Sequence, residues 1–134
     1  MRSKIAATLL LISTGAMAAP ATVTGGWFRA MPASVPSGGY FVLKNTSGKK
    51  LTLTDIETQA CGMAMMHRSV NGGMDHVMSL DITAGETASF APGGYHLMCM
   101  DAKLKPGTTV PVTFRFANGQ TVTANFAVKT ATGK

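Results

Sequence analysis

Gly, Pro, Asn and Asp interrupt this chain so often that no stretch sustains helical periodicity over ten or more residues, and the segments between the breaks alternate apolar with polar side chains. A chain of this kind can enclose an apolar core only by stacking short strands. The alternation predicts strands at Thr22 to Ala30, Tyr40 to Asn45, Leu51 to Thr58, Met63 to Val70, Met74 to Leu80, Thr87 to Phe90, Tyr95 to Asp101, Thr109 to Ala117 and Thr121 to Lys129. The last two read as a hairpin closed near Asn118 and Gly119, with Val110, Val112, Phe114 and Phe116 on one face of the first strand and Val122, Ala124, Phe126 and Val128 on one face of the second. No repeat and no low-complexity linker divides the chain. The expectation is a single all-β domain, a two-sheet antiparallel β-sandwich.

The N-terminus reads differently from the rest. Arg2 and Lys4 precede an apolar run from Ile5 to Ala16 that ends in Ala16, Met17, Ala18, the pattern of a secretory signal peptide over residues 1–18. The folded domain is then residues 19–134. No later stretch approaches the roughly 20 apolar residues of a transmembrane helix, so the expected mature protein is exported and not inserted in a membrane. Of the 12 basic residues, Arg2 and Lys4 leave with the leader, and the remaining ten face six acidic ones. They are dispersed, with no basic stripe interleaved with aromatics, which argues against nucleic acid as a partner.

Chemistry concentrates in residues 61–100, which hold all three histidines, both cysteines and seven of the ten methionines. Imidazole nitrogen with thioether sulfur is a donor mixture suited to a soft ion, above all Cu(I). If Gly72 and Gly73 form a two-residue turn, Asn71 faces Met74, Ser69 faces His76, and His67 faces Met78. The strand period of two sets His96, Met98 and Met100 on one face of a second strand, with neighbours about 7 Å apart. His67, Met78, His96 and Met98 then form a four-donor metal site.

At these residues the chain resembles the periplasmic copper chaperones associated with assembly of the copper A centre of cytochrome oxidase, the PCuAC-like family. The pattern is His67, ten residues, Met78, then a longer interval to His96-Leu97-Met98. Gly93 to Met98, Leu104 to Gly107, Val110 to Val112, Trp27 to Ala30 and Gly39 to Asn45 are similar as well, so the likeness covers almost the whole mature chain. Two departures stand out: the Met78 to His96 interval is a few residues short, and Ser69 stands where many relatives carry a further Met. The resemblance implies a cupredoxin-like, Greek-key β-sandwich that binds Cu(I) through His67, Met78, His96 and Met98, with Cu(II) as a second form. It implies a periplasmic carrier, expected as a monomer. The recipient would be a copper-accepting protein such as a cytochrome oxidase subunit or another copper chaperone.

Cys61 and Cys99 are an even pair in an exported chain, and a structural disulfide between them is expected; a thiolate ligand is the rival reading. Met31, Met66 and Met74 read as core filler, whereas Met63, Met65 and Met100 share the faces of the ligands, as a hydrophobic rim or as spare donors. His76 matches no ligand position and reads as a surface residue able to join a Cu(II) form. A blue-copper electron carrier would need a His2Cys site, and no histidine follows Cys99. An enzyme would need an acid, base or nucleophile set, and none is assembled around Asp75 and His76. The competing readings are a copper-scavenging sandwich or a module for adhesion or assembly without metal.

Overall fold

The computed structural model describes residues 18–134, so the leader expected over 1–18 lies, Ala18 apart, outside the described residues. Within them every regular element is a strand: β1 (Ala21–Arg29), β2 (Ser37–Asn45), β3 (Leu51–Glu57), β4 (Met63–Val70), β5 (Gly73–Val77), β6 (Leu80–Ile82), β7 (Thr87–Phe90), β8 (Tyr95–Met100), β9 (Thr109–Phe116) and β10 (Thr121–Lys129). They form one row in the order β5-β4-β8-β7-β2-β1-β10-β9-β3-β6. Because β3 also lies against β4, the row curls over itself into the expected cupredoxin-like β-sandwich. Pairing is antiparallel except where β1 meets β10 and β7 meets β8. Among the described residues no helix is long and apolar enough to cross a membrane.

Alternation decides which side chains enter the sandwich. On β9, Val112, Phe114 and Phe116 are buried while Arg115 is exposed, and on β10, Phe126 and Val128 are buried. Phe41 of β2 gathers the aromatic core, its ring 4.3 Å from Phe90, 4.9 Å from Phe114 and 5.8 Å from Phe126 between centroids, within the range where such rings attract. Two polar residues, Ser37 and Asn45, are buried as well. Asn45 is fully buried; its amide donates to the carbonyls of Lys49 (2.6 Å) and Ile82 (2.8 Å), and its Oδ1 accepts from the amide and hydroxyl of Ser47. A buried amide is tolerated because its partners are supplied.

Two strand expectations are corrected. The segment foreseen as one strand, Met74 to Leu80, is two: β5 ends at Val77, and Leu80–Ile82 crosses to pair with β3 as Leu51↔Ile82 and Leu53↔Leu80. The β4–β5 turn is also displaced. Asn71 and Gly72 take positive φ (44° and 79°), the signature of a type I′ turn, so the closing pair is Val70↔Gly73 and His67 faces His76, not Met78. The register thus moves by two residues, and a shift of two keeps every side chain on its expected face.

Candidate metal centre

Three strands carry the donors, with β4 between β5 and β8. Met66 of β4 is 4% exposed, and Leu97 and Cys99 of β8 are fully buried, so the inward positions of both strands belong to the core. The alternate positions therefore point outward: Met63, Met65 and His67 on β4, and His96, Met98 and Met100 on β8. Register places them rung by rung, Met63↔Met100, Met65↔Met98 and His67↔His96. Facing side chains of such pairs have Cβ atoms roughly 4.5–5.5 Å apart. What strand alternation began, pairing completes, and residues about thirty apart in sequence become neighbours.

The histidines form a row across the three strands. His67 lies 5.5 Å from His76 and 5.9 Å from His96 between ring centroids. A carbonyl has no proton to give, so the 3.1 Å contact between His96 Nδ1 and the Gly94 carbonyl makes Nδ1 the donor and leaves Nε2 with a free lone pair for an ion. His67 Nδ1 is buried and has no hydrogen-bond partner. Burial, then the neighbouring His96, then His76, hold the His67 pKa below the ordinary imidazole value of 6.5. Each influence disfavours the cation, which keeps the ring in the neutral form that ligation requires.

Met78 stands one residue beyond β5, in a bend, and is 74% exposed. A strand continued past Val77, which faces Met66, would set Met78 in line with Met65 and diagonal to His67. Diagonal Cβ atoms lie about 7–8 Å apart, within reach of long side chains. Met65, His76 and Met78 line one small depression together with Thr54, Asp55 and Ile56 of β3, and Met78 also borders a second with Arg68, Asp75 and Tyr95. On the other flank, Met31, Arg29 and Tyr40 wall a groove that also holds His96 and Met98. Of the methionines expected as filler, Met66 alone is buried in the core; Met31 is half-buried in this wall, and Met74 is 55% exposed on the donor side.

Cys61 and Cys99 are joined in a disulfide, with Cα atoms 5.3 Å apart, and the chain has no free cysteine. The rival reading of a thiolate ligand is thereby corrected. Among the described residues no three His, Cys, Asp or Glu side chains converge to hold a metal. The other donors this face offers an ion are thioethers, which favour soft monovalent copper over hard cations. Sequence reasoning left His76 apart because it matched no motif; only the register reveals it beside His67.

A family model described as "Putative lipoprotein LpqE-like" matches residues 21–128. "Putative lipoprotein Lxx21020" of Leifsonia xyli subsp. xyli is 30% identical over 118 residues, spanning 83% of this chain and 70% of that protein. The Rickettsia prowazekii protein RP573 is 31% identical over 87 residues, 60% of this chain and 48% of its own length, so this chain spans about half of that relative. Among solved structures, the Cu(I) form of DR1885 from Deinococcus radiodurans is 32% identical, with a TM-score of 0.70 over 87% of this chain and 83% of that one. The copper-bound PCuAC domain of PmoF2 is 19% identical, with a TM-score of 0.70 over 83% and 93%. That last likeness is one of fold.

Proposed function

The chain belongs to the LpqE-like family, and on that premise we propose that it is a copper carrier, not an enzyme, which binds Cu(I) through His67, Met78, His96 and Met98. The observation that carries this reading is the outward face of β4 and β8, where His67 faces His96, Met98 lies on the next rung, and His67 Nδ1 is buried without a partner. Similarity supports it as well. DR1885, solved with Cu(I), matches this chain over most of both lengths.

Chemistry of the donors explains how such a carrier would load and unload. Neutral thioethers and imidazoles bind Cu(I) without losing a proton from sulfur, and they leave the ion its single positive charge. A recipient's cysteine thiolates, anionic and softer, displace them one at a time. Met78, in its exposed bend, is the donor first met by an incoming ligand. With the leader expected at the N-terminus, we place this exchange in the periplasm, with a copper-accepting protein such as a cytochrome oxidase subunit or another copper chaperone as recipient. Cu(II) is the secondary cargo.

The test is a Cu(I) titration against a competing chelator under anaerobic conditions, on the native chain and on the Met78→Ala/Met98→Ala variant. The reading requires a tight first equivalent in the native protein and at least a tenfold loss in the variant, with the circular dichroism of the fold unchanged. Equal affinity in the two proteins refutes the assignment. No bound Cu(I) in either returns the chain to a scavenging-free adhesion or assembly module.

A further inference from the structure

The four donors of that reading leave three thioethers on the outward positions of β4 and β8 unused. Met63 and Met100 form the rung beyond Met65↔Met98, and Met63, Met65 and Met100 have no part in the core: Met63 is 56% exposed, and the other two are half-buried. Core filling, the usual duty of methionine, is carried out on β4 by Met66 instead. Three outward thioethers at adjacent positions of two paired strands are an unusual surface for apolar side chains, and sulfur is what they have in common.

We propose that Met63, Met65 and Met100 form a second Cu(I) site, with three sulfur donors, beside the first and sharing no ligand with it. Met63 and Met100 face each other at about 4.5–5.5 Å between Cβ atoms, and Met65 lies about 7 Å along β4. Flexible thioethers close such gaps around a metal whose bonds to sulfur are about 2.3 Å. A trigonal set of neutral sulfurs suits Cu(I) and rejects hard cations.

The frame under this site is fixed. The disulfide joins Cys61, two residues before Met63, to Cys99, next to Met100, and the Gly62 amide donates to the Met100 carbonyl at 2.9 Å. These bonds hold the end of β4 on β8 where the last rung lies. The donor face is therefore a ladder, nitrogen-rich at His67 and His96 and purely sulfur at the disulfide end. A carrier so built holds two ions per chain, the second more weakly because it lacks imidazole.

Cu(I) titration with a competing chelator, read as equivalents bound, tests this on the full chain and on the Met63→Leu/Met100→Leu variant. Leucine keeps the apolar area and removes the sulfur. The proposal predicts two equivalents for the native chain and one for the variant, with the affinity of the first unchanged within twofold. A methyl NMR spectrum with Ag(I) as a soft-ion probe should shift the Met63 and Met100 signals only beyond the first equivalent. One equivalent in the native chain, or two in the variant, overturns it. The Met78→Ala/Met98→Ala variant separates the two readings, because it loses the first equivalent while the sulfur-only site persists.

Discussion

His67 on β4 faces His96 on β8 with ring centroids 5.9 Å apart, and the two imidazoles use their Nδ1 atoms in opposite ways. That of His96 is committed to the Gly94 carbonyl, while that of His67 is buried and bare. A buried polar atom without a partner costs about 1–3 kcal/mol, which a bound ion would relieve. The pairing gives one ring fixed for ligation through Nε2 and a second held neutral beside it.

A pH dependence follows from His67. Its pKa lies below 6.5 when folded and near 6.5 when unfolded, so below about pH 6.5 the unfolded chain takes up the proton first. Stability is therefore complete above that pH and declines as pH falls toward the folded pKa. An NMR titration of the imidazole signals should place the His67 midpoint below 6.5, and His76→Ala, by removing one neighbouring charge, should move it upward. A midpoint at or above 6.5 in the native protein would contradict this.

Opening the disulfide should weaken the fold without abolishing it. Cys61 and Cys99 are 38 residues apart, and a cross-link over such a loop contributes about 2–4 kcal/mol. Urea denaturation of Cys61→Ser/Cys99→Ser should show a loss in that range; a loss under 1 kcal/mol would mean that the rest of the β4–β8 pairing suffices.

Asn45→Ala should be among the most damaging single changes. It strands the Ile82 and Lys49 carbonyls and the Ser47 amide in or near the core, and unpaired buried groups of this kind together cost roughly 2–4 kcal/mol. Thermal denaturation measures it, and a change within 0.5 kcal/mol or so of the native value would show that water replaces the lost partners.

Neighbouring glycines at the β4–β5 turn should respond differently. Gly72 has φ 79°, where a side chain costs about 1–2 kcal/mol, so Gly72→Ala should destabilise by that amount. Gly73 has ordinary φ, and a Cβ there would meet only the Val70 carbonyl at 3.6 Å; Gly73→Ala should be nearly neutral. The reverse order in denaturant midpoints would restore the Gly72-Gly73 turn.

That turn marks where sequence reading stopped. Asn71-Gly72 and Gly72-Gly73 are both good turn dipeptides, and only the tertiary pairing of β4 with β8 and β5 chooses between them. The outward face was legible regardless, because strand alternation fixes it and a two-residue slip preserves it. The hairpin of β9 and β10 was legible for the same reason, its aromatic and β-branched residues falling at every second position. Leu80–Ile82 was not, since three residues carry too little pattern to distinguish a strand from the end of β5. Nor was the parallel pairing of Trp27 with Ala127, which joins opposite ends of the chain. His76 was visible only as a residue without a motif.

X-ray absorption on the native chain loaded with one equivalent of Cu(I) tests the central claim most directly. The account predicts two sulfur neighbours near 2.3 Å and two nitrogen neighbours near 2.0 Å, with approximate bond lengths taken from other imidazole and thiolate sites. A first shell of nitrogen and oxygen alone, with no sulfur, would contradict it.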